Sequence, residues 1–416
     1  MFLIYLLCFS ILTLIGLIFF RKISLMNPIF WFIIFNWVMG VGVLFLLNFE
    51  NDIDIVHANL TLMTLLFFCI GAFFSIKFFN IDGLYIKFWN RDKIITKFDI
   101  KIASIFFFIS VIASLIYYKL VGYNLFFSAL LGGGVDDFTS MRLEAYAGES
   151  YFAPGYFNQF KNTLLPITFI YLIFALKSGF KKNIFIILGA AIVLYSLLGT
   201  GQRTFLVMAF ILYFFILFGV NRSKINYTYL TLMFSVVLVF FGFGSVLLGR
   251  TEDLSFVDTV SQFFYRVFAA NQYTSVVGFQ YIYDKDIIIG SDWLKSLTGV
   301  LPGMKGSTIS SEIFAVIFGS TRGTAPLSTW GSFYYNFGFF GTCLGAFILA
   351  WFYSYFYYIF ISGNSNLLRV VLYGGLFLYL SIWLAGSPMQ IINNGALAVL
   401  ILLLIRRLRF EKTGNY

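Results

Sequence analysis

Phe2-Leu3-Ile4-Tyr5-Leu6-Leu7-Cys8-Phe9-Ser10-Ile11-Leu12-Thr13-Leu14-Ile15-Gly16-Leu17-Ile18-Phe19-Phe20 runs without a charge and is followed by Arg21-Lys22. A helix crosses a bilayer with about 17 to 25 mostly apolar residues, so this stretch is long enough to span. It does not read as a cleavable signal: no basic residue precedes it, the basic pair comes after it, and no small-residue cleavage site follows. Ten further apolar runs lie near 29–47, 59–76, 102–120, 163–177, 184–199, 204–220, 228–248, 330–360, 367–385 and 390–405. The expected fold class is an all-α polytopic integral membrane protein with about 11 transmembrane helices. It forms a single membrane domain over 1–416, with larger outer loops at about 121–162 and 249–329. The run after Trp330 is longer than a crossing needs, which tilt or an interfacial extension would absorb.

Composition agrees. Apolar residues make up 60% of the chain and charged ones 11%, far from the roughly 25% charge of a soluble domain. A net charge of +10 raises nucleic acid as a partner, but most of the basic residues flank apolar spans, where topology accounts for them. Cys8, Cys69 and Cys343 each fall inside an apolar run and have no zinc spacing, so neither a disulfide framework nor a metal site is expected. No cofactor is expected.

Lys and Arg gather on the cytoplasmic side of membrane proteins. With the N-terminus outside, 18 of the 28 basic residues fall in inner segments, which fixes that orientation. Five arginines stand against the bias: Arg142, Arg203, Arg250, Arg266 and Arg322 map to the outside. A guanidinium fork matches phosphate oxygens in pairs, so an outward cluster points to an anionic, lipid-linked substrate. The competing reading of each is an interfacial anchor. The two outer segments offer room for a site. The first contains Gly132-Gly133-Gly134, read as a turn because it lacks the Lys-Ser/Thr of a phosphate loop. The second contains a helix around 255–283, expected on the outer surface of the bundle or at the membrane interface. His57, after Glu50, Asp52 and Asp54, is expected in a short surface loop.

The stretch Ala325-Pro326-Leu327-Ser328-Thr329-Trp330-Gly331-Ser332-Phe333-Tyr334-Tyr335-Asn336-Phe337-Gly338-Phe339-Phe340-Gly341 resembles the one preceding a late membrane helix in Wzy-type O-antigen and oligosaccharide repeat-unit polymerases. Gly199-Thr200-Gly201-Gln202-Arg203-Thr204 is similar to their glycine-arginine turn between two helices, and the layout of spans and outer loops resembles theirs over nearly the whole chain. Some members carry an Arg followed eleven positions later by Gly in each outer loop. Here the places after Arg142 and Arg322 hold Ala153 and Phe333.

The resemblance implies transfer of a growing glycan from undecaprenyl diphosphate onto the terminal sugar hydroxyl of another lipid-linked repeat unit. This is glycosyltransfer in lipopolysaccharide or capsular polysaccharide biosynthesis, at the periplasmic face of the bacterial inner membrane, with a chain-length regulator as a further partner. The leaving group is a diphosphate, and preorganised cations aimed at its oxygen lower the barrier. Arg203 is the main candidate, with Arg142, Arg250, Arg266 and Arg322 as substrate-binding groups and Tyr334 and Asn336 beside them. Glu144, two residues from Arg142 in a tyrosine-rich segment, is the candidate base for the acceptor hydroxyl, with Asp136, Asp137, Glu252 and Asp253 as rivals. Two other classes stay open. An O-antigen ligase would use the same donor. A polysaccharide-lipid flippase or transporter would be expected to carry ionisable residues or broken helices deep in the bundle.

Overall fold

The computed structural model describes residues 1–20, 27–131, 154–201, 204–220, 256–299, 304–321, 323–382 and 395–413, with isolated residues between. Among them the chain is helical throughout. The helices are α1 (Phe2–Phe20), α2 (Pro28–Leu46), α3 (Asp52–Phe78), α4 (Ile81–Trp89), α5 (Lys97–Val121), α6 (Leu125–Leu130), α7 (Pro154–Asn158), α8 (Leu165–Ala175), α9 (Phe180–Leu198), α10 (Thr204–Val220), α11 (Phe256–Tyr265), α12 (Asn271–Tyr283), α13 (Ser291–Thr298), α14 (Ile309–Phe318), α15 (Thr329–Ser362), α16 (Leu367–Ile382) and α17 (Leu397–Thr413). Six of these, α1, α2, α3, α5, α9 and α15, are long and apolar enough to cross a membrane. The run expected at 228–248 lies outside the described residues.

Local chemistry sets the helix ends. Asn27 accepts from Ile29 N at 2.9 Å ahead of Pro28, whose missing N–H costs nothing in the first turn. Thr96 Oγ accepts from Asp99 N at 3.0 Å and bonds the Asp99 carboxylate at 2.7 Å, closing the start of α5 from both sides. Asn51 caps α3, and Asp52 and Asp54 in its first turn favour the positive end of the helix dipole. The helix therefore starts seven residues ahead of the apolar run read at 59–76, and His57 is helical.

The chain divides into two compact units. Unit 1 comprises Met1–Phe88, Val260–Gly363 and Phe377–Gln390. Its centre is the pair α3 and α15, joined by Ser75 Oγ to Ser354 Oγ at 2.5 Å and by Phe68 against Tyr353. The expected helix near 255–283 exists as α11 and α12, separated by a π-helical turn at Arg266–Ala270. It does not simply lie on the surface: Gln272, Val276, Phe279 and Ile282 are buried. Gly42 on α2 is what allows the approach, because a Cβ there would collide with the Phe268 carbonyl. The 34 residues of α15 are likewise accounted for. Gly338, at φ +71° and ψ −168°, breaks the helix near its start. That backbone conformation suits glycine, which lacks the Cβ that would clash. Residues 339–362 then make a helix of about 36 Å at 1.5 Å per residue, enough for one crossing.

Unit 2 comprises Trp89–Thr259, Asn364–Leu376 and Ile391–Tyr416. Phe107 of α5 packs on Phe169 of α8 and Phe185 of α9, and Ser114 Oγ meets Ser196 Oγ at 2.9 Å. At one end Asp99 is fully buried: it accepts from Arg406 Nε at 3.0 Å and Asn366 Nδ2 at 2.6 Å. Ile94 N donates to Ser365 O at 3.0 Å beside them. Residues 94, 99, 365, 366 and 406, far apart in sequence, thus meet at one end of this unit.

Candidate functional site

Tyr334 and Asn336 lie in the short first piece of α15, and the break at Gly338 determines what surrounds them. A helix interrupted there leaves the Tyr335 and Asn336 carbonyls without their partners one turn on. Ile288 N and Gly290 N take them, at 3.4 and 3.2 Å. The segment between α12 and α13 is thereby fastened to this piece, and Trp293 Nε1 adds a bond to Ser332 Oγ at 2.9 Å.

Around this frame stand tyrosines and fixed carboxylates. The Tyr283 and Tyr334 rings stack nearly parallel, with 4° between their planes and centroids 6.2 Å apart. Glu312 of α14 accepts from Tyr281 Oη at 3.0 Å, Lys285 Nζ at 3.1 Å and Thr308 Oγ at 2.8 Å. The Lys285 ammonium also sits 3.8 Å from the Tyr281 ring centre. Partial burial works against the charge on both members of the pair. The hydrogen bonds and mutual attraction prevail, holding Glu312 below the ordinary carboxylate value and Lys285 above the ordinary lysine value. Asp292, in the first turn of α13, is buried and hydrogen-bonds Ser307 and Asn336. Burial raises its carboxyl above the usual range, opposed by those bonds and by the charge of Lys295. An apolar groove of about 440 Å³ runs along α15 below this cluster, lined by Trp293, Phe333, Phe337, Leu344, Ile348 and Phe352.

His57 corrects the sequence reading. It is not in a surface loop but fully buried on α3, accepting from Trp330 Nε1 at 2.8 Å and stacked on Phe279 at 4.4 Å. One turn earlier Asp54 accepts from Asn48 N at 2.8 Å and Gln280 Nε2 at 2.9 Å. The imidazole receives a proton donor at Nε2, so it joins α3 to the start of α15 as a neutral packing group.

In unit 2 the glycine turn is present as expected through Gly201, whose N–H donates to Leu198 O at 2.8 Å. Leu125 N bonds Gly199 O at 2.8 Å, and Asn124 Nδ2 bonds Tyr195 O at 3.0 Å. Behind the turn Tyr118 donates to Ser196 O at 2.6 Å, in a core with Tyr117 and Val121. Lys161 is buried beside them.

Glu144, Arg142, Arg203, Arg250 and Arg322 lie outside the described residues, as do Gly132-Gly133-Gly134, Asp136, Asp137, Glu252 and Asp253. Arg266 is in the π-helical turn between α11 and α12, half-buried. Fifteen residues separate it from Tyr281, about 22 Å along a helix, so it does not join the Tyr334–Asn336 cluster. Asn336 does come together with Asp292, and the neighbouring Tyr335 lies in the field of Lys285 and Glu312; neither carboxylate was singled out from the sequence. Their signal was weak: each is one of several charges in a long segment between apolar runs, and for Asp292 it is the fastening of Ile288 and Gly290 at the Gly338 break that sets it beside the motif. No protein-family model, no curated protein and no solved structure matches the chain.

Proposed function

We propose that the chain is a polysaccharide polymerase of the inner membrane, a glycosyltransferase that moves an undecaprenyl-diphosphate-linked glycan onto the terminal sugar of another lipid-linked repeat unit at the periplasmic face. In this reading it crosses the membrane eleven times with its N-terminus outside. The observation that carries the proposal is the position of Tyr334 and Asn336: the stretch that resembles the polymerases forms a broken helix end backed by tyrosines and hydrogen-bonded carboxylates. Flat aromatic faces and fixed acceptors suit sugar rings and hydroxyls. The apolar groove below suits a lipid tail.

The chemistry follows from the bond that breaks. As the anomeric carbon leaves the diphosphate, negative charge grows on the phosphate oxygen, and Arg203 with Arg142, Arg250 and Arg322 supplies the cations that meet it; Arg266, distant from the Tyr334–Asn336 cluster, drops out of the set. The acceptor hydroxyl attacks the anomeric carbon while its proton passes to a carboxylate, Glu144 in this reading. Asp292 is the described carboxylate in contact with Asn336, and its raised affinity for a proton suits the same task.

Deletion of the gene tests the function. Surface lipids should then bear at most one repeat unit, seen as loss of the ladder on a gel, since attachment of single units needs no polymerase. Loss of the single unit as well would assign the chain to a ligase or a flippase and overturn the polymerase.

A further inference from the structure

Lys161 is fully buried, and among the described residues it has no carboxylate within ion-pair reach. Local sequence explains the placement. Pro166 has no N–H to give to a carbonyl one turn back, and the N–H of Leu165 reaches Phe160 O instead, five residues earlier. The result is a π-helical turn over Gln159–Leu164, a widening found often at functional sites. It holds the Lys161 ammonium 4.7 Å from the Tyr117 ring centre and 5.9 Å from that of Tyr118. One hydrogen bond, to Asn162 Oδ1 at 2.7 Å, uses one of three donors. Desolvating an ammonium without a counter-ion is costly, and apolar residues of the same volume would pack there at less cost. Tyr118 also touches Gly199, in the turn that leads to Arg203.

We propose that Lys161 supplies the buried positive charge of an anion-binding site at the end of unit 2 that carries the 199–201 turn, and that its ligand is a phosphate or diphosphate ester. A charge in a low-dielectric surround acts more strongly than an exposed one, and the two N–H donors left unused among the described residues suit phosphate oxygens. The inference rests on the polymerase reading only where it takes the ester to be lipid-linked.

The test uses the purified full chain in detergent, wild type against Lys161→Met and Lys161→Gln, with inorganic pyrophosphate and geranylgeranyl diphosphate as probes. Ligand binding to the wild type should raise its unfolding midpoint. Lys161→Met should unfold at the same temperature or higher without ligand, because no charge is desolvated, while losing the ligand-induced rise and about tenfold or more in affinity. A response to both probes marks recognition of the head group, and a response to geranylgeranyl diphosphate alone marks a lipid-linked ester. The proposal is overturned if neither probe shifts the wild type, if the folded variants bind as tightly as the wild type, or if neither variant accumulates, since Lys161 would then stabilise the fold. A chain that binds through Lys161, yet whose deletion leaves the glycan ladder intact, keeps this site and loses the polymerase reading.

Discussion

The two ends of unit 2 each bury a cation, and their surroundings differ in kind. Arg406 meets Asp99 at 3.0 Å, and that carboxylate is further tied to Asn366 and Thr96. Lys161, near Tyr117 and about 27 Å away along α5 by residue count, has rings and one amide among the described residues. A buried charge with a carboxylate is a complete structural unit; one without it keeps a positive potential that something else can neutralise. The difference separates a helix clamp from a ligand site without reference to any relative.

The largest effect should come from breaking the complete end. Asp99→Ala leaves Arg406 without its carboxylate in a buried setting and should cost about 3–5 kcal/mol, seen as poor accumulation and a lower unfolding temperature. Adding Arg406→Met should restore part of the loss, because the stranded charge goes with it. If the single and double variants unfold alike, the pair is not what holds that end, and the contrast with Lys161 fails.

A smaller effect should come from making the open end resemble the closed one. Asn162→Asp places a carboxylate where the amide oxygen now stands, 2.7 Å from Lys161 Nζ. Stability should change by about 1 kcal/mol or less, the new pair offsetting the cost of burying a second charge. Binding of pyrophosphate or geranylgeranyl diphosphate should nevertheless fall, since the positive charge is then neutralised within the protein. Undiminished binding in Asn162→Asp would break the comparison.

The smallest effect is expected at Lys285 of unit 1, which has a carboxylate partner but is partly exposed. Water screens such a pair, so Glu312→Gln should change stability by about 0–1 kcal/mol. Its pH dependence has a definite sign. Glu312 is held below its ordinary value in the folded chain, so its contribution is present above that ordinary value and is lost as pH falls through the lowered folded value. Unfolding midpoints of the wild type and Glu312→Gln should therefore converge as pH drops below about 4, with the ordinary Glu value near 4.3. A gap that widens toward acid would show the pair to be wrongly assigned.

Apolar runs show where helices form because lipid compatibility depends on residue type and length, both visible in one dimension. The boundaries of α1, α2, α9 and α10 follow the runs closely, and the caps at Asn27 and Thr96 explain where others begin. His57 was misplaced because polar residues in the first turn of α3 look like a loop until the helix start at Asn51 is known. The site was legible only in part. Tyr334 and Asn336 stood out in a distinctive stretch, whereas Asp292 and Glu312 had no mark among the other outer carboxylates. The five arginines stood out against the expected bias in charge, a pattern that says nothing of which of them converge.

The sequence by itself determined that this is a helical chain with apolar segments long enough to cross a membrane, because both follow from local composition. The tertiary structure alone decided that α15 breaks at Gly338 and fastens to the segment before α13, that His57 is a core group, and that Arg406 has a carboxylate while Lys161 has none among the described residues. These outcomes depend on which groups meet across tens or hundreds of residues. Burial turns such meetings into large energies, since an unpaired charge costs little in water and much inside a protein.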